Sequence, residues 1–147
     1  MDYKLSLDVS RPLDLLKICP AYEQTPIVEI SAHNNLRLLV KDETNRMGLG
    51  SFKALGGIYA VAKFLLEQWQ KENGFELPAR RLIDPEIQSW SSKFTFVCAS
   101  AGNHGMAVAK GAELFNTGCR VHIARTVPTS FAQRLSALGA VVIRSGE

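Results

Sequence analysis

The chain has no cysteine pair in C-x-x-C spacing, and its three cysteines, Cys19, Cys98 and Cys119, are an odd number set far apart. Neither a disulfide framework nor a metal site is expected, and a reducing compartment, the cytoplasm, is the default. No apolar run is long enough to span a bilayer, which gives no ground for a membrane partner. The first residues, Met-Asp-Tyr-Lys-Leu-Ser-Leu-Asp, lack the basic-then-apolar order of a secretory signal. A block of like charge is also missing. The formal net charge is only +3, and the nearest thing to a basic cluster is Arg80-Arg81 in a polar stretch. That gives no ground for a nucleic-acid partner. No internal repeat or low-complexity tract is visible.

What is present is an ordinary globular composition. The 147 residues are 46% hydrophobic and 21% charged, enough for one domain with a real core. The N-terminal arm, residues 2–20, reads as irregular with a short helix at 13–18. Strands are expected at 27–30 and 36–41, with Asn34-Asn35 as a turn between them. After Ser51, the apolar residues Phe52, Leu55, Tyr59, Ala62, Leu66 and Trp69 recur at helical spacing and predict one buried face. Asn73-Gly74 ends that helix. Residues 75–92 read as a connection with a short helix near 86–90. The second half alternates regularly: strand at 94–99, turn at 100–105, helix at 106–115, strand at 120–124, helix at 131–138, strand at 140–144. The first of these strands carries no charge and is expected to be central and buried on both faces. The order implies an α/β fold with a parallel sheet and flanking helices.

Two stretches carry chemistry. The first is Met-Gly-Leu-Gly-Ser-Phe-Lys-Ala-Leu-Gly-Gly-Ile-Tyr, from Met47 to Tyr59. A glycine-bearing turn leads to Ser51, a candidate N-cap, which places Lys53 in the first helical turn. A cation there opposes the helix dipole, which favours the neutral amine. A neutral amine can attack a carbonyl and form a Schiff base. The plainer reading is a solvated lysine near a helix end. Gly56-Gly57 marks close approach to the helix, either of another backbone or of a ligand.

The second is Cys-Ala-Ser-Ala-Gly-Asn-His-Gly, from Cys98 to Gly105, at the carboxyl end of a strand and the start of a helix. Small residues there admit a ligand to the backbone, and first-turn amides can bind an anion. Asn103 can both donate and accept. His104 reads as an acid–base group or as a packing and capping residue. Taken alone, the loop is a common arrangement.

Taken together, Ser-Phe-Lys at residues 51–53 and Ser-Ala-Gly-Asn-His at residues 100–104 resemble the fold type II pyridoxal-phosphate enzymes. This is the tryptophan synthase β-subunit-like group, which includes threonine and serine dehydratases, threonine synthase and diaminopropionate ammonia-lyase. Lys-Asp-Glu-Thr-Asn-Arg, ending at Arg46, is similar to the same family, and the likeness runs from about Thr25 onward. It implies that Lys53 carries pyridoxal 5'-phosphate as a Schiff base and is the catalytic residue. It implies that Asn103 hydrogen-bonds the ring hydroxyl of the cofactor and that Phe52 packs beside it. Ser100, Ala101, Gly102 and His104 would hold the substrate carboxylate. Phe-Lys-Ala-Leu-Gly-Gly is most similar to diaminopropionate ammonia-lyase. Threonine dehydratases typically carry arginine where this chain has Leu55. One departure is Ala101, where ammonia-lyases of the well-known type carry an aspartate proposed as a base.

The resemblance thus implies an ammonia-lyase acting on a small amino acid with a β leaving group, giving a 2-oxo acid and ammonia. A threonine or serine dehydratase, a β-replacing synthase and a non-catalytic fragment are the alternatives. Family members are more than twice as long and carry a glycine-rich phosphate cup later in the chain. Residues 1–147 are therefore expected to be the N-terminal part of the enzyme domain, with a small subdomain at about 94–147, inactive in isolation. The full-length enzyme is expected to be a homodimer.

Overall fold

The computed structural model describes residues 8–31 and 36–146. The expected turn at Asn34-Asn35, and the arm before residue 8, lie outside the described residues. Helix α1 (Ser10–Lys17) leads to an antiparallel pair, β1 (Ile27–Ser31) and β2 (Arg37–Lys41). Helix α2 (Lys53–Asn73) follows, then a 3₁₀ segment (Ala79–Ile83) and α3 (Pro85–Ser91). The remainder alternates β3 (Thr95–Cys98), α4 (Asn103–Leu114), β4 (Gly118–Ile123), α5 (Thr129–Ala137) and β5 (Val141–Arg144). These three strands form a parallel sheet in the order β3-β4-β5.

The stops expected from the sequence are in place. Gly74 ends α2 at φ 78 and donates its amide to the Gln70 carbonyl. Gly139 ends α5 at φ 77. Both use the left-handed conformation that a side chain disfavours. Pro85 opens α3, where its missing N–H costs nothing. Helix α4 begins at Asn103, three residues earlier than expected, so Asn103 and His104 belong to the helix and not to the preceding turn.

Two expectations are corrected. The buried stripe of α2 is Ala54, Gly57, Ile58, Val61, Ala62 and Leu65, about one position round from the stripe of large residues. Phe52 is 64% exposed, while Leu55, Tyr59, Leu66 and Trp69 are only partly covered. The cause is α4, which packs more extensively on α2 than on any other element and selects its small residues. A Cβ placed on Gly57 would lie 2.4 Å from the Ala107 Cβ, and one on Gly111 would lie 3.1 Å from Val61 side-chain carbons. Each fully buried aliphatic on this stripe contributes about 2 kcal/mol by leaving water.

The second correction concerns β3. Among the described residues it is an outer strand of the parallel sheet, with Val97 62% exposed, and β4 is the middle one. One face of β3 is covered in these residues, where Phe96 meets the Phe64 ring of α2 edge-on at 5.3 Å. The β1–β2 ribbon is exposed along its whole length, including Ile27, Leu38 and Leu39.

Candidate active site

The approach to Lys53 starts upstream, in the Lys-Asp-Glu-Thr-Asn-Arg stretch. Arg46 is 5% exposed. Its Nε donates to Glu43 Oε2 at 2.6 Å and its Nη2 to Glu43 Oε1 at 2.8 Å, a forked pair. Nη2 also donates to Thr25 Oγ1 at 2.5 Å, and Nη1 to the Glu23 carbonyl at 2.8 Å. Thr25 Oγ1 in turn donates to Glu43 Oε1 at 2.7 Å. The Arg46 hydrogen bonds hold the Glu43 carboxyl down to about 2 against the cost of desolvation. The sequence pattern drew attention to this stretch without assigning these roles. The i, i+3 spacing of Glu43 and Arg46 was the legible signal, and the tie to Thr25 is long-range.

The chain then turns through left-handed dihedrals at Met47 (φ 50), Gly48 (φ 70) and Gly50 (φ 69). Glycine takes these freely, but Met47 does so at a cost on the order of 1 kcal/mol. Full burial of its side chain offsets this. Ser51 emerges buried. Its Oγ accepts from the Lys53 amide at 3.2 Å, and its carbonyl accepts from Ala54 at 3.0 Å. Ser51 thus caps α2 as expected, with Phe52 already at helical dihedrals. Lys53 lies in the first turn of α2 and is exposed.

The second motif arrives through β3 and the loop 99–102. No side chain caps α4 among the described residues, so its first-turn amides keep their hydrogen-bonding capacity. Gly105 is obligatory here: a Cβ would lie 1.9 Å from the Ser100 carbonyl oxygen. The loop therefore folds back directly over the helix start. Burial raises the Cys98 thiol above its ordinary range. The Cys119 thiol goes to about 11, through burial and then the nearby Cys98. Both remain protonated at neutral pH and are poor nucleophiles.

The contact between Gly57 and Ala107 brings the two helix starts together. Phe52, Lys53, Gly56, Gly57 and His104 line one cleft of about 440 Å³. The two adjacent glycines have different jobs. Gly57 admits the α4 backbone, while a Cβ on Gly56 would meet nothing within 4 Å, leaving the cleft floor open. Gly56 is a lining residue that the sequence reading left between two roles. Of the expected site residues, the structure gathers Lys53, Phe52 and His104 on this cleft. Asn103 is exposed at the start of α4, and Ser100, Ala101 and Gly102 form the partly covered loop beside it, outside the cleft lining. A second cleft, of about 410 Å³, lies between α1 and the far end of α2, with Arg11, Asp14, Gln70 and Glu76 in its wall and no lysine. No cluster suited to a metal occurs among the described residues. No helix among them is long and apolar enough to cross a membrane.

Comparison with known proteins gives a consistent answer. The family model described as "Pyridoxal-phosphate dependent enzyme" matches residues 18–147. Diaminopropionate ammonia-lyase of Salmonella typhimurium is 42% identical over 103 residues, covering 66% of this chain and 25% of that protein. A probable D-serine dehydratase of Rhizobium leguminosarum is 30% identical over 110 residues, covering 73% of this chain and 25% of the relative. Among solved structures, Escherichia coli diaminopropionate ammonia-lyase in complex with D-serine superposes with a TM-score of 0.79. It is 28% identical, over 94% of this chain and 35% of that one. The chain thus spans about a quarter of the length of these curated relatives.

Proposed function

The chain belongs to the family of pyridoxal-phosphate-dependent enzymes, and from that premise we propose that it forms the lysine-bearing part of an ammonia-lyase. The fold is that of the tryptophan synthase β-like group, and the cofactor of the family is pyridoxal phosphate. The cleft fits such a group. It offers one primary amine, an exposed aromatic face at Phe52, and a floor at Gly56 that a single methyl would begin to fill. Bound there, pyridoxal phosphate supplies an aldehyde for the amine and a conjugated ring that stores an electron pair.

This chain's own residues do the rest. Lys53 Nζ would hold the cofactor covalently and, as a free amine, would serve as the base for the substrate α proton. Phe52 would pack beside the cofactor. Asn103, at the α4 start beside the cleft, would hydrogen-bond the ring hydroxyl of the cofactor. The amides and side chains of residues 100–104 hold the substrate carboxylate at the α4 start. The substrate is an amino acid with a leaving group on its β carbon, diaminopropionate by preference, and the products are a 2-oxo acid and ammonia. In this reading residues 94–147 form the smaller subdomain. The observation that supports it most is the single cleft shared by Lys53 and His104, held together by Gly57 on Ala107. The likeness to D-serine dehydratases favours a second reading, in which hydroxyl replaces the amino leaving group.

The test is borohydride trapping with pyridoxal phosphate on the full-length enzyme that carries these residues, followed by peptide mapping. The adduct is expected on the peptide containing Lys53 and absent in Lys53→Ala. Asn103→Ala should keep the fold and weaken the cofactor by about 1.5–3 kcal/mol, the value of a hydrogen bond to a charged group. An adduct on a different lysine would end the assignment. Release of ammonia from diaminopropionate but not from D-serine separates the two readings.

A further inference from the structure

We infer that Arg46 is a positioning residue for Lys53, clamping the strained turn that delivers the lysine to its cleft. The inference rests on the reading of Lys53 as the cofactor lysine, and its test is separable from that reading. Between Arg46 and Ser51 the chain passes through three residues of positive φ, one of them a methionine. Such a path holds only if both of its ends are fixed by the surrounding structure. The downstream end is fixed by the Ser51 cap and the α2–α4 contact. The upstream end is fixed by Arg46, the residue immediately before Met47.

The guanidinium gathers three groups from two stretches of chain at one point: the Glu23 carbonyl and the Thr25 hydroxyl from one, and the Glu43 carboxylate from the other. Lys41 Nζ adds a bond to the Thr25 carbonyl at 2.5 Å. Arg46 does not line the Lys53 cleft. It borders a separate one with Tyr22, Gln24, Lys41 and Leu55. Its action on the site is therefore through the turn and not through contact with a ligand. The arrangement needs a planar fork. A lysine would keep the charge but could not reach Glu43 twice while also satisfying Thr25 and Glu23.

The test uses the full chain with Arg46→Lys and, as a milder variant that still keeps the forked pair, Thr25→Val. Amide hydrogen exchange is followed at Lys53 and Ala54, whose N–H groups bond to Ser51, and at core amides of α2 and α4. Arg46→Lys is expected to lose about tenfold protection at Lys53 and Ala54 with the core amides unchanged. The rate of the Lys53–pyridoxal phosphate adduct is expected to fall by up to about a hundredfold, the scale of a misplaced reacting group. Thr25→Val should show the same pattern more weakly. Unchanged protection at Lys53 and Ala54 in both variants overturns the inference. So does a uniform loss across α2 and α4 in both, because Arg46 would then only stabilise the fold. A local loss in a chain whose unmodified form gives no Lys53 adduct upholds the clamp and removes the cofactor reading instead.

Discussion

Gly56 and Gly57 are neighbours in one helix, and alanine at each should shift stability in opposite directions. In an exposed helix interior, alanine is favoured over glycine by about 1 kcal/mol. At Gly56 nothing opposes this, since a Cβ there meets no atom within 4 Å. Gly56→Ala should therefore stabilise the chain by up to about 1 kcal/mol, a rise in Tm of roughly 3 °C for a domain of this size. At Gly57 the same methyl would lie 2.4 Å from the Ala107 Cβ, 2.9 Å from the Ala107 carbonyl carbon and 3.1 Å from the Val108 amide nitrogen. Two of these are backbone atoms, so no rotamer change relieves the contact and the helices must separate. Overpacking of this kind costs about 1–3 kcal/mol. After the propensity gain of about 1 kcal/mol, Gly57→Ala should destabilise by up to about 2 kcal/mol, the upper end being expected because two of the contacts are with backbone. Ala107→Gly should recover only part of that, because the backbone contacts remain. Urea unfolding followed by far-UV circular dichroism measures both variants. Function should also split from stability at Gly56, where the stabilising methyl narrows the cleft floor and slows formation of the Lys53 adduct. Shifts of the same sign at the two positions would show that the α2–α4 approach is not as close as described.

Two further outcomes follow from the same geometry. Gly105→Ala puts a methyl 1.9 Å from the Ser100 carbonyl oxygen; it should cost about 2 kcal/mol and weaken pyridoxal phosphate about tenfold by displacing the loop, measured by urea unfolding and absorbance titration. For Glu43, the folded chain holds the carboxyl at about 2 against an ordinary 4.5, so the unfolded chain takes up the proton first. The stabilisation is intact above about pH 4.5 and is lost progressively down to about pH 2. Glu43→Gln should remove a contribution on the order of 1 kcal/mol at pH 7 and flatten that part of the stability profile. An unchanged difference between the two proteins from pH 7 to pH 2.5 would contradict the pairing.

Much of the local structure was legible because single residues punctuate it. Ser51, Gly74 and Gly139 fix helix ends through capping or left-handed dihedrals, and these signals act over a few positions. The two chemical motifs were also readable, since Ser-Phe-Lys and Ser-Ala-Gly-Asn-His each lie within one turn of a helix start. What was not legible depends on partners distant in sequence. The buried face of α2 looked like the stripe of large residues, but α4 approaches on the small ones, and only Ala107 makes Gly57 necessary. Strand β3 reads as central because it lacks charge, yet among the described residues it is an outer strand, since strand order is set by where the crossovers place each strand. The middle strand, β4, carries Arg120 and His122. The Arg46 clamp closes on residues 23 and 25 across an intervening pair of strands, so no window of local sequence contains it.

The contact between Gly57 and Ala107 also has a consequence for synthesis on the ribosome. The two residues are about fifty positions apart, which at typical translation speeds of about 5–20 residues per second is a delay of several seconds. During that interval α2 can form its backbone hydrogen bonds, but its narrow strip of Ala54, Gly57, Ile58 and Val61 has no α4 to cover it. Having Ala54 and Gly57 there limits the apolar area that this strip shows to water while the helix waits. The same smallness that lets the helices meet closely keeps the contact point itself nearly featureless until they do.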